Sequence, residues 1–264
     1  GGKCYMTENG AFDEYEYAAM IHLYNRDSTY FEILASNDRY FTFHGKAAHA
    51  SAFPEEGVNA LNAARLYMEA MDMWRQHITK DCQFHGIVVK GGEAPNIVPE
   101  EVCLDYYYRA ATLENLWKLN KISENCARGA ALATGTEVEW QQRYPDYGEI
   151  YWNEYMDQIM KDIFEHVGRT CEDSPGPGGS SDIGNVSIKI PAIHDYLSIT
   201  DDKTIQSHSK AYADAAASPQ ADEICLKGAK GLAMTALDIL EDSKFRDEIN
   251  AFHDAQVPER YHEK

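Results

Sequence analysis

The chain has 264 residues, 44% of them hydrophobic and 25% charged, which is the composition of an ordinary folded protein. Its 24 basic and 43 acidic side chains give a formal net charge of −19. Nucleic acid and anionic membranes would repel a chain this acidic, so neither is a favoured partner.

The first 37 residues contain two short apolar runs, at 3–7 and 17–23, with an Asn-Gly turn signal between them. Short apolar runs of this kind predict buried strands of an α/β sheet. Residues 24–37 are polar and irregular, which is typical of a link between domains. The beginning of the chain is therefore expected to be a fragment of an α/β domain.

An orderly pattern of strands and helices follows between residues 38 and 144. Alternating polar and apolar residues at 38–44 predict a half-buried strand. Apolar residues at helical spacing predict helices at 56–79 and 112–133, the second ended by Gly135. Further strands are predicted at 83–90, 100–110 and 136–143. The order βαββαβ is that of the ferredoxin-like split motif.

The last part of the chain is mainly helical. Its patterns predict a buried strand at 186–190 and helices at 151–167, 207–217, 220–241 and 243–253. The Pro/Gly/Ser-rich loop at 173–182 is either a low-complexity linker or a loop whose backbone something approaches closely. The predicted fold class is α/β (α+β): a ferredoxin-like domain at 38–147, inserted into an incomplete α/β domain made of 1–37 and 148–264.

The six cysteines indicate a reducing compartment. None lies within three residues of another, so there is no CxxC motif, and Cys103 and Cys126 lie in apolar patterns typical of reduced core residues. A cytoplasmic protein is therefore expected, and no run of about 18 apolar residues predicts a membrane helix. The chain starts with Gly-Gly-Lys and no initiator Met, which is typical of a chain whose beginning lies elsewhere.

Four of the ten histidines stand where a metal or a reacting group could use them. His22 ends an apolar run, His49 follows a Gly-Lys turn among alanines, His194 ends Ile-Pro-Ala-Ile-His, and His208 opens a helix. Imidazoles at strand ends and helix starts suit a metal at the carboxyl edge of a sheet. For each one taken singly, a structural or surface histidine is the commoner interpretation.

The residues alone complete no catalytic site. Zinc needs about four ligands, and a two-metal site also needs a bridging carboxylate and a general base. No HxD or HExxH motif is present, and Glu55-Glu56 is interpreted as a pair in the first turn of a surface helix. The chain contains no GxSxG elbow, Walker loop or dinucleotide fingerprint. The residues therefore indicate at most part of a metal site.

Seven segments carry a resemblance to a known family. They are GAFD (10–13), AAMIH (18–22), FHGKAAHAS (43–51), GVNAL (57–61), GGEAPNIVP (91–99), GSSDIGNVS (179–187) and GAKGLAMTAL (228–237). In these segments the chain resembles the zinc-dependent amidohydrolases and exopeptidases that include aminoacylase, hippurate hydrolase and aminobenzoyl-glutamate hydrolase. The last branch is the nearest. The matches span nearly the whole chain in the family's order.

The resemblance implies roles for three histidines. His22 and His208 match metal ligands, for Zn or Mn in the full-length parent. His49 matches a histidine that enters the partner subunit's active site and stabilises the substrate carbonyl or its oxyanion, the role of a preorganised donor.

The resemblance also implies substrate contacts and a dimer. Asn96 matches an asparagine near the substrate, and Arg109 matches an arginine that ends the following strand, for which a structural role is an equal alternative. Ser181, Asp182 and Gly184 match the loop that lines the substrate pocket. The inserted ferredoxin-like domain matches the family's lid, which also forms the homodimer.

The chain departs from the family in its ligand set. Family members carry an earlier segment with a His-x-Asp or Cys-x-His motif, and a Glu-Glu pair just before the Gly-Gly-Lys at which this chain begins. Without the general base and the bridging ligand, water cannot be activated at a metal pair. The resemblance therefore predicts a truncated chain that is inactive alone and need not bind the metal.

Two functions remain open. The first is a metal-dependent hydrolase of amide bonds in N-acyl or aminobenzoyl amino acids or small dipeptides, with these residues as part of the parent enzyme. The second is a non-catalytic remnant or subunit that acts as a dimerisation or interaction module. A ferredoxin-like nucleic-acid or regulatory-ligand binder is opposed by the acidic charge.

Overall fold

The computed structural model describes residues 1–174, 176 and 179–261, so residues 175, 177 and 178 of the predicted loop at 173–182 lie outside the described part. The helices are α1 (Gly2–Glu8), α2 (Ala60–Trp74), α3 (Leu113–Thr134), α4 (Glu154–His166), α5 (Ile183–Ser187), α6 (Lys210–Ala216), α7 (Pro219–Glu241) and α8 (Ser243–Gln256). The strands are β1 (Ala18–Tyr24), β2 (Ala35–His44), β3 (Gln83–Lys90), β4 (Glu101–Ala110), β5 (Glu137–Gln141) and β6 (Ala192–Ser198).

The chain forms two compact units. The inserted unit is Leu34–Tyr147, and the outer unit is made of Gly1–Ile33 and Gly148–Lys264. Ser36 and Tyr147, near the two ends of the inserted unit, pair through N–H to O distances of 3.0 and 2.9 Å. The chain therefore enters and leaves the inserted unit at one place.

The inserted unit confirms the ferredoxin-like prediction. Its four antiparallel strands lie in the order β3-β4-β2-β5, and α2 and α3 follow β2 and β4 in the chain. Phe41 and Phe43 of β2 are fully buried, whereas Tyr40, Thr42 and His44, which alternate with them, are partly exposed. This is the alternation of a strand that packs one face against helices.

Caps explain where the helices of the inserted unit begin and end. The Asn59 side chain accepts from Leu61 N–H at 2.9 Å, so α2 starts at Ala60, four residues later than the predicted start. Gly135 has φ 72° and ends α3, as predicted. Beneath the helices, the Tyr67 hydroxyl lies 3.0 Å from that of Tyr108 and 2.9 Å from that of Ser123.

The outer unit is built around two parallel strands. β1 pairs with β6 in a register that places Met20 opposite His194 and His22 opposite Tyr196. Ile21 and Leu23 of β1 lie against a core of buried residues that includes Ile193 and Leu197 of β6 and residues of α4, α7 and α8. The opposite face of the pair carries His22 and Tyr24 of β1 and His194 and Tyr196 of β6.

Three predictions for the outer unit are wrong. Residues 3–7, predicted as a strand, belong to α1, and most of 186–190, also predicted as a strand, lies in α5 and the turn after it. Short apolar runs do not distinguish a buried strand from a buried helix turn. The strand of this region is β6, in which His194 lies inside the strand and not at its end.

No helix in the described part of the chain has both the length and the apolar composition needed to cross a membrane.

Candidate functional site

One face of the two-stranded sheet brings two histidines together. Side chains alternate along each strand, so His22 of β1 points to the same side as His194 and Tyr196 of β6. The His22 ring centre lies 5.8 Å from that of His194 and 5.6 Å from that of Tyr196. The face therefore presents an imidazole pair flanked by a phenol.

His22 has the geometry of a metal-binding imidazole. Its Nδ1 lies 2.6 Å from the backbone carbonyl of Leu23, and the carbonyl can only accept, so Nδ1 carries the proton. Nε2 is then left with its lone pair on an exposed side chain. Ligating histidines characteristically donate their other ring N–H to a carbonyl in this way. His22 thus fits a divalent metal ion.

His194 is buried behind His22. Only 5% of it is exposed, its Nδ1 lies 3.4 Å from the Tyr196 hydroxyl, and its Nε2 has no hydrogen-bond partner among the described residues. Burial lowers the pKa of His194 to about 3, so its ring is neutral at pH 7. The sequence identified His194 as one of four candidate histidines but gave it no role. Its pairing with His22 exists only once β6 lies beside β1.

His208 lies on an exposed turn before α6. Its φ of 65° makes it the one non-glycine residue in the left-handed region within the described residues. Tyr212, in the first turn of α6, donates its hydroxyl to the Leu23 carbonyl, which also accepts from His22. This bond ties the segment that carries His208 to β1, although no ring contact joins His208 and His22 in the described part of the chain.

The loop that contains Ser181, Asp182 and Gly184, predicted to line the substrate pocket, is held by ionic and packing contacts. Asp182 accepts from Lys3 Nζ at 2.6 Å and from the Lys3 backbone N–H at 3.0 Å. Burial favours a higher pKa for Asp182, but these bonds hold it below its ordinary value. A Cβ on Gly184 would lie 2.0 Å from the Gly148 carbonyl oxygen, so close backbone packing explains this glycine. Ser181 accepts the Gly184 N–H at 3.2 Å through its carbonyl, and a substrate role for its side chain stays a prediction.

In the inserted unit, the structure brings the His49 and Asn96 loops together. Ala50 N–H donates to the Asn96 carbonyl at 3.0 Å, and Val98 N–H donates to the Ala48 carbonyl at 3.0 Å. A pocket of about 460 Å³ lies beside this pairing, lined by residues such as Ala50, Gly92 and Ile97. The two loops therefore form one surface with a concave side.

Backbone donors fix the tautomer of His49. Its Nδ1 accepts from the Ala52 N–H at 3.2 Å and lies 3.3 Å from the Ser51 hydroxyl. An amide N–H can only donate, so Nδ1 is unprotonated and the proton of a neutral ring sits on Nε2. His49 is exposed, and Nε2–H is a donor for an oxygen of another molecule.

Arg109 lies on β4, where it pairs in register with Ser36 of β2 and Gln83 of β3. It is partly buried, and burial lowers the pKa of its guanidinium. This position on a central strand fits a structural role as well as a substrate contact.

The described residues hold a pair of histidines and no larger ligand group: none of their clusters brings three or more His, Cys, Asp or Glu side chains into positions that could hold a metal ion. Of the predicted site residues, His49 and Asn96 are joined by their loops, and the segment that carries His208 is tied to β1 by the bond from Tyr212 to the Leu23 carbonyl. His194 was not among the predicted site residues, and the structure places its ring beside that of His22.

Comparisons with known proteins agree with this architecture. Residues 39–133 match the M20 peptidase dimerisation domain. The chain is 38% identical over 244 residues to the Xaa-Arg dipeptidase of Mus musculus, covering 91% of this chain and 56% of the relative. It is 30% identical over 175 residues to one of the subunits of the p-aminobenzoyl-glutamate hydrolase of Escherichia coli K12, covering 63% of this chain and 35% of the relative.

A solved structure shows the same fold. The aminobenzoyl-glutamate utilization protein from Klebsiella pneumoniae superposes with a TM-score of 0.60 at 19% identity, covering 73% of this chain and 52% of that chain. The chain spans about half the length of the mouse relative, 56% of it.

Proposed function

The chain belongs to the M20 family of peptidases and amidohydrolases, and on this premise we propose that it forms part of a metal-dependent hydrolase of amide bonds in small dipeptides or N-acyl amino acids. The observation that carries the proposal is the His22 ring, whose Nδ1 is engaged by the Leu23 carbonyl while Nε2 is free. His22 and His208 would hold the ion, which is Zn²⁺ or Mn²⁺. When bound, such an ion supplies Lewis acidity.

His49 is proposed as the donor to the substrate carbonyl. Its Nε2–H would donate to the carbonyl oxygen as negative charge develops there, in the site of a second subunit. The bonds from the 51–52 backbone and hydroxyl hold the ring in the donor tautomer before substrate arrives, so no reorganisation is needed at the moment of reaction. The Asn96 loop, paired to the His49 loop, would contact the same substrate.

The substrate class follows from the relatives. The relative with 38% identity is named an Xaa-Arg dipeptidase, and the one with 30% identity a hydrolase of p-aminobenzoyl-glutamate. Both names describe an amide between an acyl group and a free amino acid. A dipeptide with a C-terminal arginine is therefore the first substrate to test, and aminobenzoyl-glutamate the second.

The inserted unit is proposed as lid and dimerisation domain. β3 lies at the edge of its sheet, with Ile87 65% exposed and Val89 50% exposed. An edge strand with exposed apolar residues is a template for pairing with another strand. Pairing with β3 of a second copy would form a homodimer and cover these side chains.

For the 264-residue chain alone we propose no turnover. A hydrolytic metal centre needs about three protein ligands and a general base, and among the described residues no Asp, Glu or Cys side chain joins the His22–His194 pair to supply that base. The cysteines of the chain are free, which suits a reducing compartment, and we place the protein in the cytoplasm.

The test joins the chain to the earlier segment that family members carry and assays the product with Zn²⁺ or Mn²⁺. We expect release of arginine from an Xaa-Arg dipeptide, and a fall in kcat of about 10²–10³ in His49→Ala with little change in KM. Absence of hydrolysis of either substrate class by a dimeric, metal-loaded protein would refute the proposed activity.

A further inference from the structure

His194 is a buried polar side chain whose Nε2 nothing in the described residues satisfies. Buried imidazole nitrogens are almost always paired, because removal from water without a new partner is unfavourable. Here Nδ1 lies near the Tyr196 hydroxyl at 3.4 Å, while Nε2 has neither a protein partner nor access to water. An unpaired nitrogen at this position indicates a site where a ligand binds.

His22 has the complementary arrangement on the neighbouring strand. Its Nδ1 donates to the Leu23 carbonyl, so its Nε2 also carries a free lone pair. The two rings stand edge to face, with their centres 5.8 Å apart and their planes at 67°. Two imidazoles that bind one Zn²⁺ tetrahedrally, each nitrogen about 2.1 Å from the ion, have ring centres roughly 5 Å apart. The observed spacing of 5.8 Å is close to that value, and His22 is the exposed member of the pair.

We propose that His194 is a metal ligand which binds the same ion as His22, an assignment that rests on the proposed function of His22. Of the two ions proposed for His22, a second neutral imidazole favours Zn²⁺, because imidazole nitrogen suits it better than it suits the harder Mn²⁺, and Co²⁺ serves as its spectroscopic probe. Parallel pairing of β1 and β6 fixes the geometry of the two ligands, since Met20 lies opposite His194 and His22 opposite Tyr196.

The test is a titration of the folded 264-residue chain with Co²⁺ and with Zn²⁺. Calorimetry measures the binding of either ion, and the visible spectrum reports the bound Co²⁺. We expect one ion per chain. Affinity should fall by more than about tenfold in His194→Ala and in His194→Gln, since even removing an outer-shell partner costs that much. His166→Ala is the matched control, because His166 is an exposed histidine of the same unit and its loss should leave binding unchanged.

A second measurement does not depend on how the variants fold. In the wild-type chain, ¹⁵N spectra of the imidazoles should show Zn²⁺ shifting the Nε2 resonances of both His22 and His194. A shift at His22 alone, or binding by a folded His194→Ala that equals wild type, would overturn the role of His194 and leave the proposed function standing. Absence of binding by the wild-type chain would also overturn it, whereas the proposed function fails only if the longer, dimeric protein does not hydrolyse its substrates.

Discussion

His194 and Asp195 are adjacent polar residues of β6 that point to opposite faces of the sheet and therefore have different surroundings. His194 lies on the face of His22, whereas Asp195 lies on the helix-covered face with 0% exposure, and in the described part of the chain neither of its carboxylate oxygens has a hydrogen-bond partner. The end of an apolar run drew attention to His22 and His194 alike, and only the family resemblance gave His22 a role as a metal ligand. Neither could single out His194, whose significance depends on a strand neighbour distant in the chain.

Replacing Asp195 with asparagine should stabilise the protein at neutral pH. Burial, with repulsion from Asp157, raises the pKa of Asp195 well above its ordinary value of 3.8. The folded state then binds the proton more tightly than the unfolded chain, so this group favours folding as the pH falls and opposes it as the pH rises above 3.8. We expect Asp195→Asn to raise the free energy of unfolding at pH 8 by at least about 1 kcal/mol, with a smaller gain at pH 5.

Urea denaturation at the two pH values measures this difference. Asp238→Asn is the control, because Asp238 is exposed on α7 and its loss should change stability little at either pH. A gain for Asp195→Asn that does not grow with pH would show that the buried carboxyl is not the cause.

At the scale of elements, strands with one exposed face were predictable and fully buried elements were not. β2 shows a period of two because Phe41 and Phe43 face the helices while Tyr40 and Thr42 do not. Every residue of β6 is buried, so it has no such period, and its His-Asp pair interrupts the apolar run. α1 and α5 have seven and five residues, too few for a helical period to appear.

The exposed edge of β3 gives an element-scale prediction. A lysine in place of Ile87 should keep the inserted unit folded but separate the proposed dimer, because a charge on an edge strand opposes pairing with another strand. Light scattering after gel filtration should show a dimer for wild type and a monomer for Ile87→Lys. Leu132→Lys introduces the same charge on α3, at a side chain 86% exposed, and should remain dimeric. A dimeric Ile87→Lys would place the interface elsewhere.

At the scale of the whole molecule, the proposed site residues are divided between the two units. His22, His194 and His208 belong to the outer unit, and His49 and Asn96 to the inserted unit. The resemblance predicted this division, and the family and fold class it implied are confirmed. Periodicity and spacing could not have predicted it, because no motif within one unit indicates a role in a second subunit.

The division can be tested by mixing two inactive variants of the longer protein. His22→Ala lacks a proposed metal ligand and His49→Ala lacks the proposed carbonyl donor. If His49 acts in the partner's site, half of the dimers formed from an equal mixture are mixed, and each mixed dimer has one complete site. We therefore expect about a quarter of wild-type activity after unfolding and refolding the variants together. Activity no greater than that of the separate variants would place His49 in the site of its own subunit.

The pairing of Ser36 with Tyr147 has a consequence for the order in which the chain folds. The outer unit is discontinuous, and joining its two parts directly would require closing a loop of on the order of 100 residues, at an entropic cost of roughly 4 kcal/mol. Once the inserted unit has folded, Ser36 and Tyr147 are hydrogen-bonded, so the two segments that lead from it into the outer unit are already held next to each other. We therefore expect the inserted unit to fold first and β1 to find β6 afterwards, so that the histidine pair is among the last features to form.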